Sequence, residues 1–285
     1  MNAASSRFPI TVITITYNSA HCVARALTSA AGAAEFIIVD NASTDGSIGA
    51  TEPFGCKVIA NDGNVGFGVA CNQAARLATS EFLLFLNPDA VLAPKAIERM
   101  LATAERFPNA VAFGPRHELP LDHEVDVTYQ KRLARARNRG AKDQAIAGTR
   151  EVRSLSGAAL LCRRSTFAAV GGFDEKFFLY FEDEDLCRRL AQHGPLICAD
   201  DATVFQLPGT GAKLNWHQHF MKYRRYGRSR IYFSKKHGVR FKCALQALEQ
   251  TAKGVAAFAR SDRALAAQHF GRAVGYIEGR FGRQR

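Results

Sequence analysis

Short apolar runs that stop at a polar residue recur along the first third of the chain. Ile10 to Thr16, Phe36-Ile-Ile-Val-Asp40 and Glu81-Phe-Leu-Leu-Phe-Leu86 are continuous rather than alternating, and Lys57 to Ala60 adds a shorter one. Runs of this length read as strands buried on both faces. Between them the spacing turns helical, as in the later part of Asn64 to Thr79. The alternation predicts βαβ units feeding a mostly parallel sheet, and hence an α/β fold. In such a sheet ligands bind beyond the strand C-termini, so Thr16, Asn18, Asp40, Asn41, Asn87 and Asp89 are expected to converge on one crevice.

The pattern then changes. From 116 to 153 apolar periodicity fades and Arg132, Arg135, Arg137, Arg139 and Lys142 accumulate, which reads as a mobile loop or excursion within a domain spanning 8–212. Apolar character resumes at Leu155 to Cys162, Gly171-Gly172-Phe173-Asp174 marks a turn, and Leu186 to His193 reads as a helix. Residues 213–285 read as a basic helical extension, with amphipathic helices near Leu245 to Ala259 and Ala264 to Ile277.

With 285 residues and 47% hydrophobic content, the chain has ample material for a core. Its seven cysteines are scattered, odd in number and without zinc-type spacing, so buried free thiols in a reducing compartment are expected. The polar Met1 to Pro9 segment lacks the apolar stretch of a secretory signal, and no run approaches the ~18 apolar residues of a membrane span. The expected location is cytoplasmic, with peripheral attachment at the inner face of the cell membrane as an option. The net charge of +12 is unevenly placed: no acid lies between Asp201 and Glu249, whereas Lys222, Arg224, Arg225, Arg228 and Arg230 crowd that interval. On charge alone an anionic membrane surface, a lipid-linked phosphate or a nucleic acid would suit that face.

Three groups can carry chemistry. Asp89, at a strand end after Asn87-Pro88, can hold Mg²⁺ or Mn²⁺ beside substrate phosphates, although Asn-Pro-Asp is also ordinary turn chemistry. Glu182, Asp183, Glu184 and Asp185 crowd four acids behind an aromatic run, which suits either a general base of raised pKa or the N-terminal end of a helix. Asp40-Asn41 can grip a base and ribose. The glycines at 63, 66 and 68 do not have dinucleotide-fingerprint spacing, which argues against nicotinamide, and the Asn41-Ala42-Ser43 sequon is read as chance.

Taken in order, these pieces resemble glycosyltransferase family 2, and within it bacterial rhamnosyltransferase-like members. The resemblance rests on Thr16-Tyr-Asn18, Val39-Asp-Asn-Ala-Ser-Thr-Asp-Gly46, Asn61-Asp-Gly-Asn-Val-Gly-Phe67 with Asn72, Leu86-Asn-Pro-Asp89 and Phe177-Phe-Leu-Tyr-Phe-Glu-Asp-Glu-Asp-Leu-Cys187. It implies a GT-A fold with C-terminal helices and an inverting transfer of rhamnose or another hexose from a dTDP- or UDP-linked donor to a glycan or lipid-diphosphate acceptor. Asp183 matches the catalytic base, with Glu182 and Asp185 supporting its loop. Asp40 and Asn41 match nucleoside contacts, Asp89 the metal-binding acid, and Thr16, Asn18, Asn64, Gly66, Asn72 and Asn87 complete the donor side. The chain departs from the family at Gln206, where a metal- or phosphate-holding histidine is common; His217 and His219 are substitutes to consider. The basic, aromatic segment Lys222 to Lys242 either faces membrane or lipid-diphosphate acceptor, or packs its rings on the core. Three other readings compete: a nucleic-acid-binding protein, which leaves the acid cluster without a role; a catalytically silent nucleotide-sugar binder, motivated by Gln206; and a nucleotidyltransferase.

Overall fold

A computed structural model describes residues 8–118, 149–206 and 214–282. The chain divides into two compact units. Among the described residues, the first comprises 8–65, 69–118, 149–173 and 186–206, and the second 66–68, 174–185 and 214–282.

The first unit is a sheet of nine strands among the described residues, with flanking helices. In chain order these are β1 (Phe8–Thr16), α1 (Val23–Ser29), β2 (Ala33–Asp40), β3 (Lys57–Ala60), α2 (Phe67–Leu77), β4 (Phe82–Leu86), β5 (Ala90–Leu92), α3 (Ala96–Arg106), β6 (Ala112–Glu118), β7 (Thr149–Val152), β8 (Ala159–Arg163), α4 (Arg164–Ala169), α5 (Glu182–Leu190) and β9 (Leu196–Gln206). Helices α2 and α5 each straddle the division between units. The strand order is β3-β2-β1-β4-β8-β6-β9-β5, and β7 pairs with β9. β1, β2, β3 and β4 pair in parallel as their continuous apolar runs predict, and residues 10–16 of β1 are all buried. β5, β7 and β8 run antiparallel to their neighbours. β5, three residues directly after a turn, and β7, which is not an apolar run, went unpredicted.

Strand order reverses between β1 and β4, the place where an open α/β sheet leaves a crevice at its C-terminal edge. The register aligns that edge: Thr16 lies opposite Asp40, and Asp40 opposite Ala60. Beneath it, Ile10, Val12, Leu84, Phe113 and Leu161 are essentially inaccessible and form one cluster with Met100 of α3. The segment expected to be an excursion is bounded by strands, since β6 reaches Glu118 and β7 starts at Thr149. Its remaining part, 119–148, lies outside the described residues. All seven cysteines are free, and five are buried.

The second unit is built on three helices, α6 (Trp216–Lys236), α7 (Cys243–Ala259) and α8 (Arg263–Phe281). The sequence predicts the last two closely; the basic, aromatic segment proves to be most of α6. A capping box starts α6, with Asn215 accepting from the Gln218 N–H and the Gln218 side chain reaching back. α6 and α8 approach through glycines. A Cβ on Gly227 would lie 2.7 Å from the Arg272 carbonyl oxygen and 2.8 Å from Gly275, and one on Gly275 would overlap the Arg224 carbonyl oxygen. Arg224 clamps the pair by a bidentate contact to Glu278 at 2.7 and 2.6 Å. No helix among the described residues is long and apolar enough to cross a membrane.

Gly275→Ala is expected to destabilise the helical unit by about 3 kcal/mol, because backbone rather than a flexible side chain must yield. Urea unfolding checks the cost, and hydrogen exchange should show lost protection in α6 and α8. Unchanged protection would contradict the packing described.

Candidate active site

The residues predicted for the donor side belong to the first unit, apart from Gly66. Asp40 ends β2 and is only 3% exposed, so its charge needs donors: Thr16 Oγ1 at 2.7 Å, Ser43 Oγ at 2.6 Å and the Ser43 N–H at 2.8 Å. Asn41 is also buried; its N–H donates to the Thr16 carbonyl, and its side-chain oxygen accepts from Asn61 Nδ2 at 3.0 Å. Asn61 in turn exchanges two 3.0 Å hydrogen bonds with Gln73 of α2. Asn18 sits in the left-handed region at φ 54° and ties two loops together: its N–H donates to Ser43 Oγ at 2.9 Å, and its Oδ1 accepts the Thr44 N–H at 2.8 Å. Thr16, Asn18, Asp40 and Asn41 are therefore brought together as the sequence predicts. Asn61, Gln73 and Ser43 join them without having been singled out as site residues.

Asp89 lies in the turn between β4 and β5. The Asn87 N–H donates to the Ala158 carbonyl at 2.9 Å, and the Ala90 N–H folds back on Asn87 at 3.0 Å. Ala90 pairs with Gln206 across β5 and β9, which brings Gln206 Nε2 to 3.4 Å from Asp89 Oδ1. An amide thus occupies the position where the family resemblance leads one to expect a histidine, and it faces the predicted metal acid. Burial raises the Cys22 thiol to about 11, and the charges of Asp89 and Asp45 push it the same way. Among the described residues, no group of three or more His, Cys, Asp or Glu side chains forms a metal cage. One carboxylate beside an amide still fits a Mg²⁺ or Mn²⁺ that takes most of its ligands from substrate phosphates and water.

Two predicted donor residues have visible structural work. Asn72 is 7% exposed; its Nδ2 donates to the Phe173 carbonyl and its Oδ1 accepts the Phe173 N–H, both at 2.9 Å. It locks the turn at Gly172, whose φ of +71° and lack of a Cβ leave room for the Asn72 carbonyl. Gly66 belongs to the second unit. It has φ +92°, and a Cβ there would lie 2.7 Å from the Phe178 carbonyl oxygen. Asn64 is half-buried and belongs to the first unit.

The acid turn belongs to the second unit. Tyr180 and Phe181 both have φ 70°, a strained pair for bulky side chains that immediately precedes Glu182. Rings hold them there: Tyr180 meets Tyr226 at 5.3 Å and Phe181 meets Phe233 at 5.5 Å, while Arg225 stacks 3.6 Å from the Phe178 ring. Tyr226, Tyr232 and Phe233 of the Lys222 to Lys242 segment are thus packed on residues 177–181, whereas Phe241 packs on Tyr276.

The three acids of interest differ sharply. Asp185 is fully buried, and its Oδ1 receives Lys236 Nζ at 2.7 Å and lies 2.8 Å from His237 Nε2. Lys236 also reaches Asp174 at 2.6 Å, where Tyr232 donates at 2.7 Å. Burial works against the Asp174 charge, but these donors hold its carboxyl below the usual range. Glu182 is 7% exposed, and its Oε2 has no hydrogen-bond partner among the described residues. Burial first, and the Asp183 charge second, push it up to about 8. Asp183 is half-buried, with Oδ1 accepting the Glu184 N–H at 2.8 Å. His237 and Lys236 lie some fifty residues from Asp185, and no local sequence signal pairs them.

The model of glycosyl transferase family 2 matches residues 11–171, more than half of the chain. The chain belongs to glycosyltransferase family 2. The acid turn lies beyond the matched segment. A curated relative, the N-acetylglucosaminyl-diphospho-decaprenol L-rhamnosyltransferase of Mycobacterium tuberculosis, is 31% identical over 219 residues, spanning 64% of this chain and 70% of that one. Among solved structures, the mannosyltransferase PcManGT from Pyrobaculum calidifontis in complex with GDP-Man and Mn²⁺ superposes with a TM-score of 0.62 at 17% identity, covering 96% of this chain and 88% of that one. Residues 1–349 of S. aureus TarS in complex with UDP give 0.56 at 17% identity, covering 96% and 93%. At such identities the likeness is one of fold, the GT-A architecture. This family 2 protein is a glycosyltransferase.

Two outcomes test the geometry. Asn72→Ala in the glycosyltransferase orphans both backbone groups of Phe173 and is expected to cost about 2–4 kcal/mol in urea unfolding. For Glu182 the folded pKa lies above the ordinary 4.5, so the native state binds the extra proton. Stability is then fully present below about 4.5 and falls as pH rises through about 8. Melting temperatures of Glu182→Gln across that range should fall less steeply than those of the parent; parallel curves would contradict a buried neutral Glu182.

Proposed function

We propose that this glycosyltransferase moves a hexose, with inversion, from a nucleoside-diphosphate donor to a lipid-diphosphate-linked glycan acceptor in polysaccharide synthesis. Rhamnose from a dTDP donor is the first choice and a UDP-hexose the second. The activity of the 31%-identical mycobacterial relative, an L-rhamnosyltransferase acting on a diphospho-decaprenol-linked sugar, supports this choice of sugar and of acceptor class.

The division of labour among the acids carries the mechanism. Asp185 is buried and compensated by Lys236 and His237, and Glu182 is buried with its pKa raised to about 8, so neither presents an accessible carboxylate to an acceptor hydroxyl. Asp183 and Glu184 are the half-buried acids left in the turn, and of the two it is Asp183 that matches the base in the family resemblance. In the proposed step Asp183 takes the proton of the acceptor hydroxyl, whose oxygen bonds to the anomeric carbon as the bond to the diphosphate oxygen breaks on the opposite face. Asp40 and Asn41, held by Thr16, Ser43 and Asn61, contact the nucleoside. A divalent cation at Asp89 and Gln206 would compensate the charge of the departing diphosphate. Asn18, Asn64 and Asn87 complete the donor side; Gly66 and Asn72 act by shaping its loops.

Asp183→Asn should lower kcat by a factor of about 10²–10⁴. Stabilisation of the protein by dTDP- or UDP-sugars with Mn²⁺ should remain. Retained turnover would remove Asp183 from the base role. Loss of donor stabilisation with this variant would make it a binding residue instead. A parent protein that binds donors but never transfers or hydrolyses them would favour the silent-binder reading that Gln206 motivates.

A further inference from the structure

Helix α7 leaves one face without a partner. Leu245, Leu248, Val255 and Phe258 follow helical spacing and are 58, 68, 58 and 62% exposed, while Ala247, Gln250, Gly254 and Ala257 form the buried face. Four large apolar side chains in one exposed row are more than scattered surface residues. The row begins at a cavity of about 610 Å³, which Leu245 itself lines together with Ser234, Lys235, Lys242 and Arg280. No acid lines it.

Three features suit that cavity to an anion. Ser234 is 7% exposed, and its hydroxyl is buried without a hydrogen-bond partner among the described residues. The N-terminus of α7 opens there: its cap residue, Lys242, makes no side-chain capping bond, and no acid occupies the first turn. Lys242 and Arg280 form no ion pair among the described residues, whereas Lys235 Nζ is partly engaged by the Gly279 carbonyl at 2.8 Å. The larger cavity of about 830 Å³ lined by Arg224, Arg225 and Arg228 is a weaker candidate. Asp174, Glu175 and Glu278 line it as well, and Glu278 already holds Arg224.

We infer that α7 docks on an anionic membrane surface, its row from Leu245 to Phe258 entering the apolar layer while a phospholipid headgroup phosphate sits among Ser234, Lys242 and Arg280. An anion site contiguous with an exposed apolar row is the chemistry of a phospholipid, charged at one end and apolar at the other. A second copy of the chain is disfavoured as the occupant. A symmetric contact through this face would bring Lys242, Arg260 and Arg263 of both copies together, whereas Glu249 is already paired with Lys253 and Asp262 caps α8. The aromatic stretch of α6 is the alternative membrane surface that the sequence left open, but its Tyr226 and Phe233 rings pack on Tyr180 and Phe181. The purpose of docking rests on the lipid-linked acceptor proposed above; the docking itself does not.

The test is co-sedimentation of the full chain with vesicles of phosphatidylcholine, with or without phosphatidylglycerol, scored separately from transfer. Binding is expected only with phosphatidylglycerol. It should fall about tenfold in Phe258→Asp, the effect of removing one buried aromatic, and several-fold in Lys242→Glu. The latter places an acid at a helix N-terminus and so favours the fold. Leu77→Asp, at an exposed position in the first unit, should bind as the parent does. Equal binding to both vesicles, or parental binding by Phe258→Asp, would overturn the inference. So would a parent dimer that Phe258→Asp converts to monomer, or competition by inorganic phosphate in the absence of any effect of Phe258→Asp.

Discussion

A carboxylate removed from water must be given donors, a counter-charge or a proton, and this constraint organises both sets of functional residues. Three of the site carboxylates illustrate the three answers. Asp40 is met by hydroxyl and N–H donors from Thr16 and Ser43. Asp185 is met by Lys236 and His237. Glu182 has no ion pair and no partner for Oε2 among the described residues, and burial raises its pKa to about 8. The first two solutions hold their carboxylates in place, and the third leaves a neutral acid beside Asp183, the residue given the base role in the proposed reaction.

Backbone geometry is arranged to make these solutions available. Parallel register lines Thr16 up with Asp40, so a strand-end hydroxyl meets a strand-end carboxylate without a long loop. In the second unit the left-handed residues Tyr180 and Phe181 turn the chain into α5 at the acid cluster, and their rings pack against α6. Strain of this kind persists only where packing over-determines it, which gives the α6 aromatics their role.

The α/β class, the parallel strands and the convergence of Thr16, Asn18, Asp40 and Asn41 were legible because buried parallel strands are continuous apolar runs and polar residues mark their ends. The antiparallel strands β5 and β7 were not, since β5 is three residues directly after a turn and β7, Thr149-Arg-Glu-Val152, is not an apolar run. Asn72 was legible as part of a motif, but its grip on Phe173 joins residues a hundred positions apart. The pairing of Asp185 with His237 is equally non-local, and the neutrality of Glu182 depends on burial that four adjacent acids do not advertise. The basic stretch of α6 suggested a membrane face by composition; only packing separates its engaged rings from the exposed row on α7.

The central claim is that a single base in the acid turn drives a direct displacement at the anomeric carbon. It is tested most directly by the anomeric configuration of the sugar in the product, read by NMR against that of the donor. A product of inverted configuration is predicted, since one carboxylate and one displacement reverse the centre once. A product that keeps the donor's configuration would require two displacements or a different geometry, and would contradict the role given to Asp183.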